Sequence, residues 1–350
     1  MPRSLLLSLV LLPAPTLMLL PGSAGAHTET PATPQRSAPG HTRFDLQRTE
    51  IVAFVDHMVT VGMSREAVDA VLAKAEPQPK IIEAMTKPVE KSLAWWEYRA
   101  RFLDAARVDA GARLWREHRE LLDAIAMERH VQPEYVLGIL GVETYFGRLT
   151  GRYRVLDALA TLAFDYPARG EYFRRELEQF LLLTQSGDLD PAATLGSYAG
   201  AMGAAQFMPS SFQHFAVDED GAGHRDLWND WADIFGSVAN YLQQHGWEYG
   251  QPVMAAATLG TAPAVAMPAT VTLDTTLGAL RERGMKVESG LEDTTACLVI
   301  PAVLSTGTIY RVGFRNFYVI TRYNRSPLYA MAVNDLAEAI AARVLAPDAP

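Results

Sequence analysis

The stretch "PEYVLGILGVETYFG", residues 133–147, decides how the centre of this chain folds. Pro133 suits the first position of a helix, where the N–H that proline lacks is not needed. Apolar residues then follow at three- and four-residue spacing, which is typical of a packed helix. We therefore expect a helix over 133–146 that ends at Gly147 in a left-handed conformation.

Glu143 stands near the end of this helix, on a face that is otherwise apolar. The residues three, four and seven positions before it are all aliphatic and share its side of the helix. Burial and the negative end of the helix dipole both raise the pKa of a carboxyl group in this position. A carboxyl group that stays protonated near neutral pH can act as a general acid. The alternative is a structural glutamate neutralised by Arg148 or Arg152.

Composition restricts the function classes. The chain has 350 residues, of which 49% are hydrophobic and 20% charged, which suits a globular protein with a sizeable core. The formal net charge is −9 and no basic block occurs, so nucleic acid is not an expected partner. The motifs of zinc proteases, serine hydrolases and phosphate-binding loops are all missing from the sequence.

The amino terminus predicts export. Residues 1–26 combine Arg3, an apolar run broken by prolines, and a cleavage pattern that ends at Ala26. A membrane anchor is the alternative, but the apolar run is short for a span. Cys297 is the only cysteine, so an internal disulfide and a lipid-anchored mature terminus are both excluded. We expect a soluble periplasmic protein without a membrane anchor, whose residues 27–43 form a flexible leader.

The organisation predicted by hydrophobic spacing is mainly α with a minor β part, an α+β class. Helical spacing begins near Phe44, and Ser64 is placed to cap an early helix. Further helices are expected at 109–129, 153–163, 170–185, 209–216, 232–245 and 327–345. Strands are expected in "ATVTLD" (269–274), "ACLVIPAV" (296–303), "IYRVGF" (309–314) and "FYVITRY" (317–323) because they are rich in β-branched and aromatic residues.

These elements suggest three parts after the leader. A helical domain over 44–130 would be completed by 327–345, a central core would occupy 131–249, and a small β-rich subdomain would occupy 250–326. Parts of this size are usual for a chain of this length.

Four motifs carry a resemblance to a known family, and they occur in that family's order. They read "GVETYFGR", "SYAGAMGAAQFMPSSF", "DLWND…IFGSVANYLQQHGW" and "NFYVITRYNRSPLYAMAV". The chain from about 44 to 345 resembles the membrane-bound lytic murein transglycosylase B family. The resemblance implies a lysozyme-like helical core with a helical domain from both chain ends. It also implies cleavage of the MurNAc-β-1,4-GlcNAc bond of peptidoglycan, without water, to leave 1,6-anhydroMurNAc ends.

The resemblance also assigns site residues, motif by motif. Glu143 matches the catalytic acid. The positions that match sugar- and peptide-contacting residues are Ser197, Gln206, Phe207, Tyr241, Tyr323, Tyr329, Arg169, Tyr172 and Tyr98. The partners it implies are peptidoglycan glycan strands and the cell-wall synthesis machinery, and we expect a monomer.

The sequence departs from the family in its lack of a lipid-anchor cysteine and in its calcium loop. No cofactor is required, and a structural calcium ion is the one candidate, in "DEDGAGHRDLWN" (218–229). Four residues fit ligand positions of such a loop: Asp218, Asp220, His224 through its carbonyl, and Asp226. Ala222 and Asn229 replace two of the usual oxygen ligands, so the alternative is a turn held by side-chain hydrogen bonds.

One carboxyl group is enough if the substrate itself completes the reaction. Most glycosidases use two carboxylates, but substrate-assisted enzymes use an acetamido group of the sugar in place of the second. The nearby Asp157 and Asp165 are expected to hold helix ends or turns instead. Two alternatives stay open: a lysozyme-like hydrolase with the same acid, and a non-catalytic peptidoglycan-binding protein.

Overall fold

The computed structural model describes residues 43–86 and 93–346. The expected export signal and all of the leader except Arg43 lie outside the described residues. Helices dominate, and a five-stranded antiparallel sheet and a two-stranded antiparallel pair accompany them, in agreement with the mainly α prediction. No helix within the described ranges is long and apolar enough to cross a membrane.

The helices are α1 (Thr49–Thr60), α2 (Arg65–Leu72), α3 (Pro79–Thr86), α4 (Trp95–Arg99), α5 (Ala105–Glu117), α6 (Arg119–Arg129), α7 (Pro133–Thr144), α8 (Val155–Asp165), α9 (Gly170–Gln185), α10 (Pro209–Phe215), α11 (Trp231–Gln244), α12 (Leu277–Glu282), α13 (Arg315–Tyr323) and α14 (Pro327–Leu345). The strands are β1 (Tyr153–Arg154), β2 (Leu195–Gly196), β3 (Met254–Thr258), β4 (Thr275–Thr276), β5 (Lys286–Val287), β6 (Ala296–Leu304) and β7 (Gly307–Gly313).

Helix α7 lies at the centre of the helical core. Pro133 occupies its first turn as expected, and every residue from Tyr135 to Val142 is buried. The sequence predicted one buried face, but other helices enclose α7 on all sides. It ends at Thr144, and Tyr145 takes the left-handed cap position expected for Gly147; Tyr145, Phe146 and Gly147 have positive φ angles of 54°, 58° and 76°.

The long carboxy-terminal helix α14 packs against α7 and α5. Gly138 of α7 makes this close approach feasible, because a Cβ atom there would lie 2.7 Å from the carbonyl oxygen of Val333. Glycine in a helix interior costs roughly 1 kcal/mol relative to alanine, so the close contact offsets a local penalty. The contact places the first half of α14 beside the helix that carries Glu143.

The stretch 109–129, expected as one helix, forms two helices that meet at His118. His118 departs from helical geometry with a φ of −117° and ψ of 29°. The bend is closed by the indole N–H of Trp115, which donates to Asp123 at 3.0 Å. Amphipathic spacing continues across this bend, so the spacing alone does not show the break. By contrast, Ser64 caps α2 as predicted, accepting the N–H of Ala67.

The main sheet has the strand order β4-β6-β7-β3-β5, and all its pairs are antiparallel. Strands β6 and β7 confirm two of the four strand predictions, and Cys297 is buried in β6 as a free thiol. The prediction for 269–274 is wrong, because the only pairing near that segment is β4, opposite Ala296 and Cys297.

The prediction of a strand at 317–323 is wrong too, because these residues belong to helix α13. Phe317, Val319 and Ile320 are buried, and tertiary burial of this face outweighs the β preference of the side chains. Asn316 secures the start of the helix through bonds from its amide to the carbonyl oxygens of Glu248 and Gln251, at 2.8 and 2.9 Å.

Candidate active site

A cleft of about 200 Å³ opens at the carboxy-terminal end of α7. Glu143 lines it, and among the described residues of its wall Glu143 is the only one with a carboxyl group. The wall also carries two arginines, Arg107 and Arg169, and several aromatic side chains. The cleft therefore offers one acid, two cations and flat apolar surfaces, a combination suited to a polar ligand with apolar faces.

The environment of Glu143 changes its acidity. Its Oε1 accepts a hydrogen bond of 2.7 Å from the hydroxyl of Tyr329. Burial raises the pKa of Glu143 to about 7, while the bond from Tyr329 acts in the opposite direction because it stabilises the ionised form. Ion pairs to Glu143 are missing within the described parts of the chain, and Arg148 lies over the ring of Tyr145 instead. Glu143 is thus not neutralised by an arginine.

Tyr329 and Tyr98 lie behind the cleft wall and not on its surface. Tyr329 is fully buried, at the start of α14, where Ser326 caps the helix by accepting the Tyr329 N–H. Tyr98 is 9% exposed, and its hydroxyl is buried without a hydrogen-bond partner in the described structure. The resemblance implied that both residues contact the substrate, but in the structure Tyr329 donates to Glu143 from behind the cleft wall.

Three other predicted aromatics form one cluster on the cleft wall. The ring centre of Phe207 lies 5.7 Å from that of Tyr241 and 5.8 Å from that of Tyr323. The two tyrosine hydroxyls donate to backbone carbonyls, Tyr241 to Arg322 at 2.7 Å and Tyr323 to Ala205 at 2.6 Å. Their hydroxyls are therefore committed to the protein, and what they offer to a ligand is ring surface.

The small-residue loop before α10 brings Ser197 and Gln206 to the cleft. The hydroxyl oxygen of Ser197 accepts the N–H groups of Ala199 and Ala201, at 3.2 and 3.0 Å, which leaves its own O–H to donate. The side-chain nitrogen of Gln206 donates to the carbonyls of Thr150 and Gly203, at 3.1 and 2.9 Å. Its side-chain oxygen is left as an acceptor, so the pair presents one donor and one acceptor.

Gln206 holds its position at a conformational cost. Its φ is 52°, a left-handed value that costs a residue with a side chain of order 1–3 kcal/mol. The bridge between Met202 and Phe207 closes the loop around it. Such strain is typical of sites where geometry is selected over stability.

Arg169 and Tyr172 occupy the wall near the start of α9. The guanidinium of Arg169 lies 4.5 Å from the ring centre of Tyr172, within the range of a cation–π interaction. Glu176 is buried behind them and accepts the N–H and hydroxyl of Ser210, at 2.9 and 2.8 Å. These bonds lower the pKa of Glu176, but burial is the larger effect and raises it overall.

Sequence reasoning missed several cleft residues. Phe102, Arg107, Tyr145 and Asn324 all line the cleft. Tyr145 lies two residues after Glu143, so its place at the helix end was a usable signal. Phe102 lies in the connection between α4 and α5 and Arg107 lies in α5, and their place opposite α7 depends on tertiary packing alone.

Asp157 and Asp165 have structural roles, as expected from their sequence context. Asp157 accepts the N–H of Glu76 at 2.8 Å and both donors of Arg154, at 2.7 and 2.8 Å. Asp165 forms a buried ion pair with Arg48 at 2.7 Å. Neither aspartate lines the cleft, so neither is a second acid for Glu143.

The candidate calcium loop is held by its own hydrogen bonds, and its acidic cluster differs from the predicted one. Asp218 and Asp220 place carboxylate oxygens within 4.8 Å of each other and of Asp233. Asp226 is turned away, because its carboxylate accepts the N–H groups of Trp228 and Asn229 at 2.8 and 3.0 Å.

Asp233, outside the loop motif, lies with Asp218 and Asp220, while the ligand role predicted for the carbonyl of His224 stays a prediction. Oxygen donors of this kind suit a hard divalent cation. The N–H groups of Ala222 and Gly223 donate to the carboxylate of Asp218, at 2.9 and 2.8 Å, so hydrogen bonds within the loop also position this carboxylate.

The chain belongs to the Transglycosylase SLT domain family, which it matches over residues 47–338. It is 39% identical over 298 residues to the membrane-bound lytic murein transglycosylase B of Escherichia coli K12, covering 82% of this chain and 81% of that protein. These relatives are lyases that act on peptidoglycan, and the function of this chain is that of a lytic transglycosylase.

Solved structures agree with this assignment. The soluble lytic transglycosylase SltB1 of Pseudomonas aeruginosa is 44% identical, with a TM-score of 0.77 over 83% of this chain and 97% of that one. The E. coli lytic transglycosylase Slt35 in complex with calcium is 37% identical, with a TM-score of 0.79 over 89% and 100% of the two chains. The fold is therefore lysozyme-like, as the motifs implied.

Replacing Tyr329 with phenylalanine should raise the pKa of Glu143 above about 7, because the lost hydrogen bond favours the ionised carboxylate. A bond worth about 1 kcal/mol corresponds to a shift of about 0.7 pH units. The basic limb of the kcat/KM profile would move to higher pH by that amount. Tyr323→Phe, which removes a hydroxyl bonded to Ala205, is the control and should leave the limb in place. An unmoved limb in Tyr329→Phe would show that this bond does not tune the acid.

Proposed function

We propose that Glu143 is the single acid and base with which this lytic transglycosylase cleaves the MurNAc-β-1,4-GlcNAc bond. One observation carries the proposal: Glu143 is the only carboxyl group among the described cleft residues, and its pKa is raised to about 7. At neutral pH a large fraction of Glu143 is then protonated and able to donate.

The reaction requires two proton transfers, one from Glu143 and one back to it. Glu143 donates its proton to the bridging oxygen as the bond from C1 of MurNAc breaks, and GlcNAc leaves with a 4-hydroxyl. The carboxylate that remains takes the proton from the C6 hydroxyl of MurNAc, whose oxygen bonds to C1. Glu143 ends protonated, no water is consumed, and the product is a 1,6-anhydroMurNAc end.

The positive charge that develops at C1 needs a partner, and the acetamido carbonyl of MurNAc itself is the candidate. Substrate-assisted glycosidases use this group in place of a second carboxylate. Ser197 has a free O–H to donate to that carbonyl, and Gln206 has a free oxygen to accept the acetamido N–H. The two side chains match the two ends of one acetamido group.

The rings of Phe207, Tyr241 and Tyr323 supply stacking surface for the apolar faces of the sugars. Arg169 and Tyr172 supply a second contact region at the start of α9. Tyr329 and Tyr98 contribute from behind the wall, where Tyr329 orients the carboxyl group. Glycan strands are thus the partner that the cleft accommodates, and assembly with cell-wall synthesis proteins remains a prediction of the family resemblance.

A hydrolase with the same fold and acid is the second candidate. It would need a positioned water molecule and, in the usual arrangement, a second carboxylate about 5–10 Å from the first. Asp157 and Asp165 are engaged elsewhere, so the described residues offer no such group at the cleft. This favours internal attack by the sugar hydroxyl.

Glu143→Gln should lower the rate at which soluble muropeptides are released from purified sacculi by at least about 100-fold. The same change should stabilise the fold above pH 7. A group whose folded pKa is raised loses stability as pH rises from its unfolded value toward its folded one, and glutamine has no such loss. Binding to sacculi should persist.

Glu171→Gln is the matched control, since Glu171 is exposed on α9 and should leave release unchanged. Product masses decide between the two candidates, because anhydro ends are one water lighter than reducing ends. Release by Glu143→Gln at a rate close to that of the unmodified protein would disprove the assigned role, and products with reducing ends alone would favour the hydrolase.

We also propose that the chain acts in the periplasm after cleavage at Ala26, because its substrate class lies there and residues 1–26 carry the export pattern. The mature protein from a periplasmic extract should begin at His27 by amino-terminal sequencing. An intact amino terminus in that fraction would contradict cleavage.

The chemistry requires no cofactor, and we propose a weak structural calcium site at Asp218, Asp220 and Asp233. An ion bound to the native state alone raises the midpoint of thermal unfolding. The midpoint should rise with millimolar calcium in the unmodified protein but not in Asp220→Asn. Equal midpoints with and without calcium would exclude the site.

A further inference from the structure

Arg107 is a cleft residue whose charge is poorly compensated by the protein. Its side chain is 14% exposed, and one guanidinium nitrogen donates to the carbonyl of Gly141 at 3.0 Å. Its Nε is buried without a hydrogen-bond partner in the described structure, and the closest carboxylate oxygen, on Asp104, is 3.9 Å from it. Burial lowers the pKa of Arg107, which reflects the same incomplete compensation.

Aromatic rings hold this guanidinium in place. Its central carbon lies 4.7 Å from the ring centre of Tyr145 and 5.3 Å from that of Phe102. The guanidinium of Arg148 lies 4.8 Å from the ring centre of Tyr145. Rings that back an arginine fix its plane and supply a cation–π attraction, but they leave its N–H donors free for a ligand.

The charge of the whole cleft favours an anion near Arg107. Among the described residues of its wall, Arg107 and Arg169 are the two cationic ones and Glu143 is the one with a carboxyl group, whose pKa is about 7. The cleft therefore has a net positive charge whether Glu143 is protonated or ionised. The protein as a whole carries a formal charge of −9, so this local excess of positive charge is a property of the site.

We infer that Arg107, backed by Tyr145 and Phe102, is a specificity-determining residue that binds a carboxylate of the peptide stem on the glycan strand. This rests on the proposed function of the cleft. A planar guanidinium with free donors matches a carboxylate in geometry and charge. Sugar hydroxyls offer no charge of their own, whereas the stem peptides carry the anionic groups of the polymer.

The structural alternative is that Arg107 serves only to tie α5 to the end of α7 through Gly141. A purely structural role would weaken cleavage of every substrate alike. A carboxylate-binding role would change the preference between substrates that differ only in stem charge. The ratio of the two kcat/KM values separates these roles, whatever the absolute rates.

The test compares soluble glycan strands with free stem carboxylates and the same strands after conversion of those carboxylates to amides. The unmodified protein should prefer the carboxylated strands, and Arg107→Met should lower the ratio of the two kcat/KM values about tenfold, through KM. Methionine keeps much of the side-chain length and removes the charge. Arg113→Met, an exposed position on the same helix α5, is the matched control and should leave the ratio unchanged.

An unchanged ratio in Arg107→Met would overturn the inference, as would equal kcat/KM values of the unmodified protein for the two strands. If neither strand is cleaved, the proposed function fails. The inference about Arg107 is then tested by the ratio of the calorimetric binding affinities for the same two strands. Urea unfolding of Arg107→Met shows whether the fold is intact. If it is not, Arg107→Lys supplies the second variant, which keeps the charge and should retain part of the preference.

Discussion

The placement of one half-buried carboxyl group between an open cleft and the packed end of a buried helix is the constraint on which this structure depends. An ionised carboxylate away from water is costly, and the protein meets that cost with a single hydrogen bond from Tyr329. The bond is strong enough to hold the group and too weak to force its ionisation, so the pKa stays near 7. A salt bridge in the same place would have produced a permanent anion and no general acid.

That arrangement requires α7 and α14 to lie very close together. Gly138 removes the side chain that would block the backbone at Val333, and Gly141 leaves room for Leu336 and Phe146. Tyr329 reaches Glu143 across 186 positions of sequence because of this contact. The carboxy-terminal helix is therefore part of the active site as well as part of the scaffold.

The rim of the site is built from backbone conformations that side chains seldom adopt. Tyr145, Phe146 and Gln206 all have φ near +55°, and Tyr145 and Gln206 line the cleft. The early end of α7 turns the ring of Tyr145 into the cleft, where Arg107 and Arg148 pack on it. Residues of this kind are retained where a particular geometry matters more than local stability.

Much of this molecule could be predicted from its sequence. Helices with clear spacing and end signals, such as 133–146 and 327–345, were placed within two residues of their observed ends, because local hydrogen bonds and one-dimensional burial patterns dictate them. The same spacing made Glu143 a candidate acid but left a structural glutamate as the alternative, and the family motifs favoured the catalytic role. The helix over 317–323 could not be predicted, because its β-branched and aromatic side chains suit a strand as well as a helix. Burial of one face of the helix determines which of the two forms. The break at His118 likewise depends on contacts made across the bend.

The sequence alone could not predict which side chains contact each other. Patterns along the chain indicated the helices, the candidate acid and the loop of small residues, because those signals are local. Only packing decided that Tyr329 lies behind Glu143, that Asp233 lies beside Asp218, and that Arg107 faces the cleft. These are contacts between segments far apart in the chain, and they form only when the helices close on one core.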